Sequence, residues 1–145
     1  MTIPSSLLGY AGEIAPADTW DRLAADPEAK IIDVRTQAEW SFVGVPDLSS
    51  LGKQVLLVSW QVFPAMARNE AFAEQVAAHG IKKTDPLYLL CRSGVRSKAA
   101  AELLTQLGYT AAWNITDGFE GPHDGARHRG LLAGWKAAGL PWAQG

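Results

Sequence analysis

A single cysteine, Cys91, stands among the 145 residues, and it opens the run Cys91-Arg92-Ser93-Gly94-Val95-Arg96-Ser97. Upstream lies a short apolar stretch, Leu87-Tyr88-Leu89-Leu90, and downstream a helix-like segment from Lys98 to Leu107 that closes at Gly108. The pattern predicts a strand, a tight loop and a helix start, with the thiol at the strand's carboxyl end. Ligands of open parallel sheets bind just outside that end. Loop N–H groups and a helix N-terminus would add partial positive charge there, and Arg92 and Arg96 would add full charges. Such surroundings lower a thiol pKa to roughly 3.5–7.5, so the expected species at neutral pH is the thiolate, a nucleophile. The competing reading is a buried core cysteine. Five polar or small residues among the six that follow Cys91 would fill a core poorly and suit an anion cradle, in which Gly94 lets the backbone curl around the sulfur.

Three further charges call for a reading. Asp33 and Arg35 sit at the end of the apolar run Lys30-Ile31-Ile32-Asp33-Val34, with Glu39 four residues on. Charges at a strand end commonly pair to hold a turn, and the expectation is a structural ion pair between Arg35 and Glu39, not a catalytic acid. His123, Asp124 and His128, beside Asp117 and Glu120, match no ligand spacing template, so no metal is expected. Trp20 and Trp135 fall at helical core positions, and Trp60 lies on the carboxyl side of a strand, where it could face either a pocket or the core.

The elements that must position these groups alternate. A helix opening at Pro16-Ala17-Asp18, with Asp18 as its cap, precedes the strand ending at Val34. Val55 to Val58 reads as a second strand. Asn69 is expected to cap a helix that carries Phe72 and Val76 and ends at His79-Gly80. The strand into Cys91, its following helix and a strand over Ala111 to Ile115 come next. Leu131, Leu132 and Trp135 predict a last helix ending near Gly139. Alternating strands and helices predict an α/β domain, with a mainly parallel central sheet and helices on both faces. The boundaries drawn are 1–13 for an N-terminal extension and 14–142 for the domain.

Composition narrows the function class. A net charge of −2 and no basic run longer than two residues argue against nucleic-acid binding. One cysteine excludes an internal disulfide and a resolving thiol, hence CxxC redox chemistry, and points to a reducing compartment. No secretory pattern is visible from Met1 to Ala11 and no apolar stretch approaches the ~20 residues of a membrane span, so a cytoplasmic protein without membrane contact is expected.

These residues together resemble a known family. Cys91 to Ser97 is similar to the active-site loop of rhodanese-like single-domain sulfurtransferases, which recurs as Cys-Arg-Ser-Gly-x-Arg-Ser. Ile32-Asp33-Val34-Arg35 followed by Glu39-Trp40 resembles that family's Asp-Val-Arg…Glu signature. Trp113-Asn114-Ile115 with Gly118-Phe119, and the ending Gly134 to Trp142, resemble its later segments. One departure is local. Val43-Gly44-Val45-Pro46-Asp47-Leu48 lacks the histidine of the family's Gly-His-Ile-Pro-Gly-Ala turn.

The resemblance implies a rhodanese-like domain that moves sulfane sulfur through a Cys91 persulfide. The donor would be a small anion such as thiosulfate, and the acceptor cyanide, a small thiol or a protein thiol. Arg92, Ser93, Gly94, Val95, Arg96 and Ser97 would bind the substrate, and no cofactor is implied. Related phosphatases use Cys-x5-Arg, whereas here Arg96 comes one step early, leaving a cradle too short for phosphate. The alternative from another class is a non-catalytic persulfide carrier or binding module that works with a protein partner.

Overall fold

The computed structural model describes residues 10–62, 67–91, 95–116, 118–119, 134–136 and 138–143. Along the chain these form β1 (Gly12–Ile14), α1 (Pro16–Ala25), β2 (Lys30–Asp33), α2 (Gln37–Val43) and β3 (Val45–Pro46). A 3-10 turn (Ser49–Leu51) leads to β4 (Leu56–Leu57), β5 (Gln61–Val62), β6 (Ala67–Arg68) and α3 (Phe72–Ala78). Then come β7 (Leu87–Leu90), α4 (Val95–Gln106), β8 (Ala112–Ile115) and β9 (Trp142–Ala143). The main sheet runs β1-β8-β7-β2-β4 with every pairing parallel. Small antiparallel pairs, β3 with β9 and β5 with β6, stand outside it. None of the described helices is long and apolar enough to cross a membrane.

The two-residue period of the strands divides the interior. Leu87, Leu89 and Cys91 join Ile32, Val34, Phe72, Val76, Ala100 and Leu104 in one core. Tyr88 and Leu90 join Ile31, Leu23, Ile115, Phe119 and Trp135 in the other. Burial on both faces is why β7 reads as a continuous apolar run instead of an alternating one. Helices α3 and α4 therefore cover one face and α1 the other, as the alternation predicts. Trp135 is fully buried with Trp20 edge-on at 6.0 Å, and Trp60 packs edge-on against Phe72 at 5.1 Å, so all three serve the core.

Several boundaries differ from expectation. The sheet takes in Gly12 and Glu13, which fall within the expected N-terminal extension, and pairs them with Trp113 and Asn114. Helix α1 begins at Pro16, two residues before the expected cap at Asp18, with Ala15 at its cap position; proline suits the first helical position, where its φ is already helical and its missing N–H would have had no partner within the helix. Asn69 stands two residues before Ala71, the cap residue of α3, and its Oδ1 accepts the Ala71 N–H at 3.0 Å. Leu131 and Leu132 lie outside the described residues. The described parts of 134–140 form turns, not the expected helix, tied by Trp135 N–H to the Gly118 carbonyl and Trp135 Nε1 to the Pro141 carbonyl.

The Thr36-Gln37-Ala38-Glu39 segment makes α2, which hydrophobic spacing does not reveal. Thr36 Oγ1 accepts the Glu39 N–H at 3.4 Å and Glu39 Oε1 accepts the Thr36 N–H at 3.3 Å, a reciprocal capping box. The helix stops at Gly44, where φ is +105° and a Cβ would sit 2.7 Å from the Ala143 carbonyl oxygen and 2.8 Å from the Trp142 ring. We expect Gly44→Ala to destabilise by about 2–3 kcal/mol, through positive φ and the clash with β9. A thermal midpoint lowered by about 5–10 °C in a melting scan is the matching observation.

Candidate active site

Cys91 follows β7 at the carboxyl end of the sheet and is buried, 1% exposed. The parallel register sets it beside the end of β2, with Asp33 opposite Leu90 and Val34 N–H donating to the Leu90 carbonyl at 2.8 Å. Helix α4 starts at Val95, three residues earlier than the apolar spacing implies, so Arg96 and Ser97 belong to its first turn. Ser97 Oγ lies 3.2 Å from Cys91 Sγ. Arg92, Ser93 and Gly94 lie outside the described residues, and Val95 is described in its backbone alone.

The Asp33–Arg35 pair is a foundation. Arg35 Nε donates to Asp33 Oδ1 at 2.9 Å and Nη2 to Oδ2 at 2.6 Å, with both residues wholly buried. Nη2 also donates to the Gly44 carbonyl at 2.6 Å, and the guanidinium lies 4.3 Å from the Phe119 ring centroid. Phe119 N–H in turn donates to the Cys91 carbonyl at 2.7 Å. The signature's arginine thus supports the ring whose backbone fixes the cysteine. The expected Arg35–Glu39 pair is corrected: the arginine takes Asp33, two residues back and on the same side of the strand.

Glu39 is held by Arg96 instead. Arg96 Nη1 and Nη2 donate to its two carboxylate oxygens at 2.7 and 2.9 Å, a bidentate pair about one-fifth exposed. Burial works to raise the Glu39 pKa, but the hydrogen bonds and charge of Arg96 outweigh it and hold the carboxyl below its ordinary value. For Arg96, burial pulls downward while Glu39, then Cys91 and Asp33, raise it above its ordinary value. The cation expected to activate the thiol is therefore largely balanced by Glu39. One carboxylate caps α2 and anchors α4, joining the starts of both helices near the sulfur.

A depressed carboxyl pKa stabilises the folded state above the unfolded pKa, and that stability drains as pH falls through the folded value. Asp85 behaves alike: burial raises its pKa, but Lys30 Nζ at 2.9 Å and the Lys82 N–H bring it below the ordinary value. Thermal midpoints should therefore fall on acidification below about pH 4.3, the unfolded glutamate value. Glu39→Gln should lower the midpoint at neutral pH, by about 2 kcal/mol in stability terms, with the gap to wild type closing in acid. A gap independent of pH would refute the assignment.

Three residues that continue the contacts beyond Ser97 are not singled out by sequence reasoning: Asn114, Glu13 and Tyr10. Asn114 is 2% exposed on β8, meets the Ser97 hydroxyl through Oδ1, and donates from Nδ2 to Glu13 Oε1 at 3.0 Å. Tyr10 OH donates to Glu13 Oε2 at 2.7 Å, and burial followed by the Glu13 bond pushes its pKa up to about 12, so it stays a donor. The available signal was an amide inside the apolar strand Ala112-Trp113-Asn114-Ile115, since a buried amide demands partners. Of the remaining sequence candidates, Asp117, Glu120, His123, Asp124 and His128 lie outside the described residues.

Comparison with known proteins agrees with this geometry. The family model described as STR4 middle domain matches residues 11–145. An uncharacterized protein of Rickettsia conorii is 36% identical over 129 residues, spanning 89% of this chain and 94% of that protein. Rhodanese-like domain-containing protein 4, chloroplastic, of Arabidopsis thaliana is 28% identical over 131 residues, covering 88% of this chain and 24% of the plant protein. The crystal structure of Rv0390 from M. tuberculosis superimposes with a TM-score of 0.85 at 47% identity, over 94% of this chain and 99% of that one. A polysulfide-sulfur transferase homodimer from Wolinella succinogenes, 20% identical with a TM-score of 0.65 over 97% of this chain and 87% of its own, shares the fold. The parallel sheet, the lone thiol at its carboxyl end and a family match across nearly the whole chain lead to one conclusion: the chain belongs to the rhodanese-like family.

Proposed function

We propose that the protein transfers sulfane sulfur from a small anionic donor, thiosulfate in the first instance, to cyanide or a thiol through a persulfide on Cys91. The observation that carries this reading is the position of Cys91: the end of the central parallel strand, four residues before a twelve-residue helix, with a hydroxyl 3.2 Å from its sulfur. The Cys91 sulfur, as thiolate, attacks the outer sulfur of thiosulfate. A new S–S bond forms, the donor's S–S bond breaks, and sulfite leaves with the electron pair. The acceptor then attacks the outer sulfur of the persulfide, returning the thiolate and carrying off one sulfur. Arg92 to Ser97 hold the donor anion and the persulfide through N–H groups and positive charge. A single cysteine suits a reducing setting and supports a cytoplasmic place of action.

Intact mass measured after incubation with thiosulfate, then cyanide, on wild type and Cys91→Ser tests the proposal. Gain of one sulfur on wild type alone, removed by cyanide, supports it. Repeated turnover marks an enzyme, and a single unloading marks a carrier that needs a protein partner. No gain of sulfur would overturn thiosulfate as the donor.

A further inference from the structure

Trp60 lies in line with the thiol across the strand ends. Its N–H donates to the Val34 carbonyl at 2.9 Å, while Val34 N–H donates across the other side of β2 to the Leu90 carbonyl, one residue before Cys91. Cys91 and Val34 belong to one core and Trp60 packs against it, so the three form a row on the same face of the sheet. Two strand spacings, about 10 Å, separate its ends. Trp60 is half-buried and firmly seated. Its carbonyl accepts the Asn69 N–H at 2.8 Å, and Asn69 Nδ2 donates to the Ser59 carbonyl at 2.9 Å. Its ring meets buried Phe72 edge-on. Pairing of Gln61 with Arg68 between β5 and β6 returns the chain past this ring and sets the Arg68 guanidinium 5.1 Å from its centroid. Arg35, Arg96 and Arg68 all stand at this end of the sheet, but in different states. Arg35 is bound by Asp33 and Arg96 by Glu39. Arg68 is exposed, and among the described residues no carboxylate lies within ion-pair distance of it.

We propose that Arg68, seated on Trp60, is a specificity-determining residue that binds the carboxylate of a small thiol acceptor while the acceptor's sulfur meets Cys91. A guanidinium resting on an indole face keeps its N–H donors open for two carboxylate oxygens. The separation selects the ligand. Cyanide and thiosulfate, each a few ångströms long, cannot touch both Arg68 and the sulfur. A thiol whose carboxylate stands several bonds from its sulfur, as in a short thiol peptide, can. The inference rests on the sulfur-transfer reading and names the acceptor class for it. The acceptor thiolate attacks the outer sulfur of the Cys91 persulfide. A new S–S bond forms on the acceptor, the old one breaks, and the electron pair returns to Cys91 as thiolate. Arg68 takes no part in that exchange; it holds the far end of the acceptor.

Protein loaded from thiosulfate and freed of donor is unloaded by cyanide, by glutathione, or by glutathione diethyl ester, which keeps the thiol and loses both carboxylate charges. Because Cys91 is the only cysteine, sulfur loss read by intact mass reports one site. In Arg68→Ala the half-saturating glutathione concentration should rise about three- to tenfold, and in Arg68→Glu further. The maximal rate should hold, since a contact remote from the sulfur is made equally before and in the transition state. Unloading by cyanide and by the diester should change less than about twofold in either variant. Added salt should slow wild type with subsaturating glutathione and leave Arg68→Ala nearly unaffected. Equal losses with all three acceptors would mean a structural role and overturn the proposal, as would an unchanged half-saturating concentration for glutathione. Failure of thiosulfate to load wild type would remove the sulfur-transfer reading and this inference with it. Loading followed by unimpaired unloading of both variants removes this inference alone.

Discussion

Arg35→Ala should lose about 3–5 kcal/mol of stability, enough to leave the protein at the edge of folding, since a domain commonly has about 5–15 kcal/mol in all. The loss comes from what is left behind. Asp33 would keep a carboxylate at zero exposure without its bidentate partner, the Gly44 carbonyl would lose its guanidinium donor, and Phe119 would lose the cation stacked on it. Replacing both members of a buried pair by apolar residues of similar volume is far milder than removing one. Asp33→Leu with Arg35→Met should therefore recover much of the deficit. Denaturant midpoints for the wild type, the Arg35→Ala variant and the double variant give the answer directly. An Arg35→Ala protein with an unchanged midpoint and lost turnover would move this arginine from scaffold to chemistry.

The largest expected effect on activity belongs to Cys91→Ser. Thiocyanate formation from thiosulfate and cyanide should fall on the order of 10⁴-fold or more, because the chain holds no second thiol to take over. A serine hydroxyl is scarcely ionised at neutral pH, and a persulfide needs sulfur at the attacking atom. The fold should survive, since the exchange alters one atom in a site already lined by the Ser97 hydroxyl. Steady-state rates and a melting scan on the same sample separate the two effects. A Cys91→Ser protein that still turned over would exclude the persulfide route altogether.

Much of the fold was legible because apolar strands flanked by helix periods are strong local signals. Lys30–Asp33, Leu87–Leu90 and Ala112–Ile115 lie where the apolar runs stand. Cys91 was legible for the same reason, as the residue at the end of one such run. Pairings were less so. The rule that charges at a strand end pair to hold a turn points Arg35 to Glu39, whereas the strand's two-residue period puts Asp33 on its side and leaves Glu39 for Arg96. Helix α2 went unseen because only its capping box announces it, not an apolar stripe. Glu13 and Asn114 meet only through the pairing of the first strand with one a hundred residues later, and such register is invisible along a single chain.

The division of the interior by the sheet also bears on how substitutions combine. Leu89 and Leu90 are chain neighbours, yet each packs into a different core across the backbone wall of β7. Space opened on one side cannot be filled from the other, so losses from truncating these two residues should nearly add. Leu89 and Leu104, far apart in sequence but sharing one core, have a collapsing neighbourhood in common and should not. Energetic kinship in this domain follows the face of the sheet, not the order of the chain.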